Sequence, residues 1–221
     1  MLTLIEARPG AGKTTTLQRL AKLLERDMTL TGFVTEEIRE GGRRVGFAMR
    51  TLGGESGVLA HHKLPGPPRV GRYGVDVGEF ERLALPTLWV PADTILIDEL
   101  GKMELASTAF RAAVADLVER DTPVVATVHA FRHPFTDALK ARPAAEVVHL
   151  TRQNRDELPR LLAQRLRAAD SQQRARKADQ LCPRATSPQR RHRDSGRVRK
   201  ASQSSGAWSP MRSRGAEAAA G

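Results

Sequence analysis

Ala7-Arg8-Pro9-Gly10-Ala11-Gly12-Lys13-Thr14 stands between an apolar stretch, Leu2 to Glu6, and an amphipathic one, Thr15 to Arg26, whose Leu17, Leu20, Ala21 and Leu24 recur at helical spacing. Strand, glycine-rich turn and helix in that order form a phosphate-binding loop and predict an α/β fold built around it. The backbone N–H groups near Gly10 and Gly12 can fold around an anion, Lys13 can reach β and γ phosphates, and the Thr14 hydroxyl can hold Mg²⁺. The helix adds its positive end and unpaired N–H groups. A nucleoside triphosphate is the expected ligand. Ala7 replaces the glycine usual at the head of such a loop, and its Cβ would cost about 1 kcal/mol if the turn demanded positive φ.

The chain has 221 residues, 40% of them apolar, enough for one α/β domain with a substantial core. A single cysteine, Cys182, excludes an internal disulfide framework and fits a reducing compartment, so a cytoplasmic location is expected. The N-terminus opens directly into a strand and no apolar run reaches membrane-spanning length, so neither export nor membrane insertion is expected. Monomer is the default state.

Net charge is +11, but residues 168–221 hold 12 of the 36 Lys and Arg against 4 of the 25 Asp and Glu, so +8 of it lies there. From about Ala168 periodic apolar residues give way to Ser, Arg, Gln, Ala and Pro, a composition that cannot bury enough to offset ordering entropy. Residues 1–167 therefore read as a phosphate-loop domain, and 168–221 as a basic, disordered tail. Nucleic acid could meet its arginines, but with Trp208 as the lone aromatic and no folded recognition motif, a merely solvated tail is favoured.

Gly32 to Ile38 and Val45 to Leu52 read as two strands joined by a turn at Gly41-Gly42, and Val58 to Ala60 as a short further strand. Asp76 to Leu85 and Ser107 to Arg120 read as helices, and Val124 to Val128 and Glu146 to Leu150 as strands. A short helix over Thr136 to Lys140 and a final one carrying Leu158, Leu161, Leu162 and Leu166 complete the series, the last opening on an Asn154/Glu157 capping box. This alternation predicts a mostly parallel sheet covered by helices on both faces, with an added β-hairpin.

Thr94-Ile95-Leu96-Ile97 runs into Asp98-Glu99, as a buried strand does when its carboxyl end opens onto a site. In phosphate-loop enzymes an acid ending the neighbouring strand holds the Mg²⁺ shell, and a following glutamate can orient the attacking water. On the hairpin, Thr35, Glu37 and Arg39 share one face by alternation, making Arg39 a candidate internal arginine finger and Arg155 its rival. His129 and His133, four apart, lack the glutamate and helix of a zinc protease motif and read as loop histidines, as do His61 and His62.

Arg8-Pro9-Gly10-Ala11-Gly12-Lys13-Thr14-Thr15, Gly32-Phe33-Val34-Thr35-Glu36-Glu37-Ile38-Arg39 with Gly41-Gly42-Arg43-Arg44-Val45-Gly46-Phe47, and Ile97-Asp98-Glu99-Leu100-Gly101-Lys102-Met103-Glu104 together resemble the cancer-related nucleoside-triphosphatase family. Val70-Gly71-Arg72-Tyr73-Gly74-Val75 and Asn154-Arg155-Asp156 add support; residues 168–221 lie outside the resemblance. Ala7 departs from the family's glycine, and His129 stands where the family more often carries an apolar residue or proline. The resemblance implies a RecA-like P-loop NTPase core and Mg²⁺-dependent hydrolysis of ATP, GTP and other nucleoside triphosphates. It makes Lys13 the β/γ-phosphate contact, Thr14 and Asp98 the metal ligands, Glu99 the activator of water and Lys102 a neutraliser of developing charge. Ala7, Arg8, Pro9, Gly10, Ala11, Gly12, Thr15, Leu96, Ile97, Leu100, Gly101 and Arg155 complete the expected nucleotide contacts. Two other functions fit the same loop: a phosphotransferase with a second substrate, and a nucleotide-gated nucleic-acid binder acting through the tail.

Overall fold

Central strands that are apolar on both parities need cover on both sides, and the computed structural model, which describes residues 1–181, shows how it is supplied. In chain order the elements are β1 (Leu2–Ala7), α1 (Lys13–Leu24), β2 (Leu30–Glu40), β3 (Arg43–Thr51), β4 (Ser56–His61), β5 (Arg69–Val70), β6 (Tyr73–Val75), α2 (Val77–Thr87), β7 (Thr94–Leu100), α3 (Thr108–Leu117), β8 (Val124–His129), α4 (Pro134–Lys140), β9 (Ala145–His149) and α5 (Leu158–Leu181), with a 3₁₀ turn at Glu104–Ala106. Among the described residues the strands form one sheet in the order β5-β6-β4-β3-β2-β7-β8-β1-β9. From β2 to β9 the neighbours are parallel; from β2 outward through β3, β4, β6 and β5 they are antiparallel.

Alternation divides the core. Leu4, Ile95, Ile97, Val124 and Ala126 face Phe80 of α2 and Phe110 of α3, whereas Ile5, Leu96 and Val125 face Leu17, Leu20 and Leu24 of α1 and Leu162 and Leu166 of α5. Phe33, Phe80 and Phe110 meet edge-on or tilted with centroids 4.9–5.8 Å apart, each pair adding about 0.5–1.5 kcal/mol beyond area burial. Ser107 accepts a hydrogen bond from the Phe110 N–H at 2.8 Å and so starts α3 where its apolar face begins.

Four expectations change. The acidic strand β7 is not the neighbour of the loop strand β1, because β8 lies between them; side-chain periodicity identifies a strand but not its partner. The hairpin continues into β4, β6 and β5 and makes one side of the sheet. Asn154 does not form the capping box: its Oδ1 accepts from the Thr151 N–H at 2.8 Å and its Nδ2 donates to the His149 carbonyl at 2.9 Å. Helix α5 instead begins at Leu158, which leaves Pro159 in the first turn, where a missing N–H matters least.

The fourth change concerns the boundary at residue 167, past which α5 runs unbroken to Leu181. Ala, Gln, Arg and Lys over 168–178 have good helix propensity, and extending an existing helix needs no new nucleus. Arg174 also pairs with Asp170 one turn back at 2.8 Å and reaches Asp93 at 3.3 Å. The expectation for the rest of the tail, from Cys182 on, lies outside the described residues.

Candidate active site

Helix α1 opens without a side-chain cap: Gly12 precedes it at φ 100°, and Gly10 sits at φ 75°. Those left-handed backbones suit glycine, and a Cβ at either would meet nothing within 4 Å, so the requirement is conformational and the space above the loop stays open. The uncapped first-turn N–H groups are the anion donors expected there. Ala7, by contrast, is the last residue of β1, paired with His129 of β8 and buried against the α1 side of the core. Its extended backbone tolerates a Cβ, which removes the reason to expect glycine.

Lys13, only 7% exposed, lies 3.2 Å from Glu99 Oε2 and 3.4 Å from the Ala7 carbonyl. The β7–β8 register slips after Ile97, so that three steps along β7 match two along β8. Strict alternation would send Glu99 to the side of the sheet opposite Asp98; with the bulge, Glu99 lies beside Lys13 and Asp98 beside Thr14. His129, ending β8, places Nε2 2.6 Å from Glu99 Oε1. Burial alone would raise the Glu99 pKa, but the His129 hydrogen bond and the Lys13 charge outweigh it and hold the carboxyl below its usual range.

Asp98 is fully buried, accepts from the Thr127 hydroxyl through Oδ1, and has no hydrogen-bond donor at Oδ2 among the described residues. Burial pushes its pKa up against the opposing pull of the Thr127 and Thr14 hydroxyls and of Lys13. An unpartnered buried carboxylate oxygen beside the Thr14 hydroxyl is a hard-oxygen donor pair of the kind Mg²⁺ takes when substrate phosphates complete its shell. No group of three or more His, Cys, Asp or Glu among the described residues forms an all-protein cage. The donor set present, Asp98 Oδ2 and the Thr14 hydroxyl, suits a hard divalent cation such as Mg²⁺.

Lys13, Thr14, Glu99 and His129 open into a cavity of about 860 Å³, which Asp98, fully buried behind Thr14, does not line. Pro9, Gly10, Gly12, Lys13, Thr14 and Thr15 form its floor; Glu99, Lys102, Met103 and Glu104 form one side, and Thr35, Glu36, Glu37, Arg44 and Phe47 of the hairpin the other. A second hollow of about 880 Å³ between α1 and α5 has a charged lining in which Arg19 pairs with Asp156 and Arg167 with Asp27, each at 2.7 Å.

A family model described as NTPase matches residues 3–163. The chain belongs to the NTPase family. Its relatives include the nucleoside-triphosphatase THEP1 of Thermotoga sp. (strain RQ2), 42% identical over 161 residues that make up 72% of this chain and 91% of that one. The namesake from Methanosarcina acetivorans is 39% identical over 167 residues, 73% of this chain and 94% of the other. Among solved structures, the crystal structure of THEP1 from Aquifex aeolicus superposes with a TM-score of 0.67 at 34% identity, covering 75% of this chain and 99% of that one. The solution structure of a human cancer-related nucleoside triphosphatase gives 0.66 at 34% identity, with 76% and 97% covered.

Within this NTPase, not every residue expected from the sequence reaches the cavity. Leu96, Ile97 and Leu100 are buried in the sheet, and Ala7, Arg8, Ala11 and Gly101 frame the loops without lining the space. Arg155 follows β9 and points to Asp156 at 3.9 Å, away from the lining. Arg39 bonds Glu37 and, at 3.1 Å, the Gly42 carbonyl near the hairpin turn. The lining arginine is Arg44, 2.7 Å from Glu37 and 3.2 Å from the Tyr73 hydroxyl. The β2–β3 register passes over Val45, and that bulge reverses the parity of β3, turning Arg44 onto the face of Phe47 and Glu37.

Besides Arg44, two further site residues escaped the sequence reading. His129 belongs to the site because β8 separates β1 from β7, whereas His133 caps α4 by accepting from the Phe135 N–H at 3.2 Å. Glu104, 4% exposed, sits where a Cβ on Gly101 would lie 2.7 Å from its Oε2 and 2.8 Å from Glu99 Oε1. The signal was a glycine between two acids in Asp98-Glu99-Leu100-Gly101-Lys102-Met103-Glu104.

Burial, reinforced by the Glu99 charge, pushes the Glu104 pKa from an ordinary 4.5 to about 8. A carboxyl whose pKa rises on folding takes up a proton as the chain folds. Its stabilising contribution is full below 4.5 and declines as pH rises to about 8, by at most about 1.4 kcal/mol per pH unit. Glu104→Gln keeps the shape and removes the titration. Urea midpoints measured from pH 5 to 8.5 should fall more steeply for the parent than for the variant; parallel curves would mean that Glu104 stays ionised inside the fold.

Proposed function

We propose that this NTPase hydrolyses Mg²⁺-bound nucleoside triphosphates, ATP and GTP among them, to the diphosphate and phosphate. One observation carries the reading: an ionised glutamate, Glu99, faces the phosphate-loop lysine, and the neighbouring Asp98 offers an unpartnered buried oxygen beside Thr14. Mg²⁺ held by Thr14 and Asp98 would neutralise charge on the β and γ oxygens. The loop N–H groups bind the polyphosphate, and Lys13 exchanges Glu99 for it. Glu99 then accepts a proton from the attacking water as the new oxygen–phosphorus bond forms and the bridging bond to the β phosphate breaks. Lys102 and Arg44, both on the cavity wall, would meet developing negative charge, Arg44 taking the part that alternation assigned to Arg39.

A phosphotransferase reading draws support from the same cavity, whose hairpin wall extends beyond Lys13 and Glu99 and has room for an acceptor. Phosphate release from a panel of nucleoside triphosphates, with and without Mg²⁺ and with no acceptor present, separates the two. Hydrolysis of several triphosphates that stops on chelation supports the hydrolase. No release without an acceptor, and phosphorylation of an added nucleoside, would replace it with the kinase.

A further inference from the structure

Glu99 has two partners of different kinds. Lys13 holds Oε2 at 3.2 Å, and His129 holds Oε1 at 2.6 Å. Lys13 is the residue a polyphosphate recruits, so its bond to Glu99 is lost when substrate binds. The imidazole has no such competing duty: its other nitrogen, Nδ1, is buried without a hydrogen-bond partner among the described residues. Phe131 lies beside the ring with centroids 5.8 Å apart.

We propose that His129 is the positioning residue of the hydrolytic reaction, holding Glu99 Oε1 by a donated Nε2–H bond so that Oε2, released by Lys13, faces the attacking water. The inference rests on Glu99 acting as the water-activating base. A bond to an ionised carboxylate requires the hydrogen on Nε2, which leaves Nδ1 as a lone pair in the neutral ring. That tautomer suits the site, because an unpartnered N–H would be the more costly group to bury. The backbone adds a reason for the position. His129 is the register partner of Ala7 at the mouth of the phosphate loop, and β8 lies between β1 and β7. The end of β8 is therefore where a side chain can span from the loop strand to the acid. Without the imidazole, a flexible glutamate released by Lys13 would sample several rotamers, few of which aim at the γ phosphorus.

The test combines four variants of the full chain. His129→Leu removes the donor and should lower kcat for ATP about 10- to 100-fold, the usual effect of losing a partner that orients a catalytic group, with KM changed less than about 2-fold. His129→Gln places an amide N–H near the position of Nε2 and should recover most of that loss, which a merely structural role would not produce. In single-turnover assays on Glu99→Gln, adding His129→Leu should slow the reaction no further. The inference is overturned if His129→Leu leaves kcat intact while Glu99→Gln is inactive, if glutamine fails to rescue, or if the two losses multiply. Hydrolysis by Glu99→Gln at the parent rate would remove the base and this inference together, and so tells the failure of one from that of both.

Discussion

Replacing Glu99 with glutamine is expected to lower kcat for nucleoside triphosphate hydrolysis about 10²- to 10⁴-fold, the range for loss of a positioned general base. Affinity should not follow it down. Glu99 lies 3.2 Å from Lys13, so the carboxylate competes with an incoming polyphosphate for the same cation. Glutamine removes that competition at nearly constant shape, and nucleotide Kd should stay equal or fall. Phosphate release and calorimetric titration on the same preparation separate the effects. Loss of affinity in step with turnover would mean that Glu99 serves binding instead, and unchanged turnover would end its assignment as the base.

Asp98→Asn should move stability and activity in opposite directions. The carboxyl is fully buried, its pKa is raised by that burial, and Oδ2 has no donor among the described residues, so the fold disfavours its ionised form. The asparagine Oδ1 can still accept from Thr127. We expect the ligand-free melting temperature to rise, by about 2–4 °C for each kcal/mol relieved in a domain of this size. Hydrolysis at fixed Mg²⁺ should fall on the order of 10²-fold or more, since an anionic oxygen ligand is lost where charge develops. A thermal scan without nucleotide and a Mg²⁺ titration of turnover measure the two. A variant both less stable and fully active would show that Asp98 is structural.

The family, the phosphate loop and both acids were legible before any coordinates, because each resides in a contiguous run: Gly10 to Thr15 for the loop and Ile97 to Glu104 for the acids. The apolar faces of α1 and α3 were legible for the same reason, since 3.6-residue periodicity is a local property. His129 and Arg44 were not. His129 joins the site because a strand from later in the chain inserts between two earlier ones, and Arg44 because an unpaired Val45 shifts the parity of β3 and turns it onto the face of Glu37. Composition misled at one boundary, where it ended the fold at residue 167 although α5 continues to Leu181 on helix propensity and ion pairs.

Local chemistry written along the chain thus pointed to the ligand class and to the groups proposed to react: glycines that reach left-handed backbone, a lysine and threonine beside them, two carboxylates at a strand end. Packing decided how those groups meet. Strand order, two bulges and the burial of Glu104 set which side chains converge, which carboxyl stays charged and which holds its proton. The physical reason is range: dihedral preference and side-chain period act over a few residues, whereas strand neighbours, desolvation and charge coupling arise between residues that share only space.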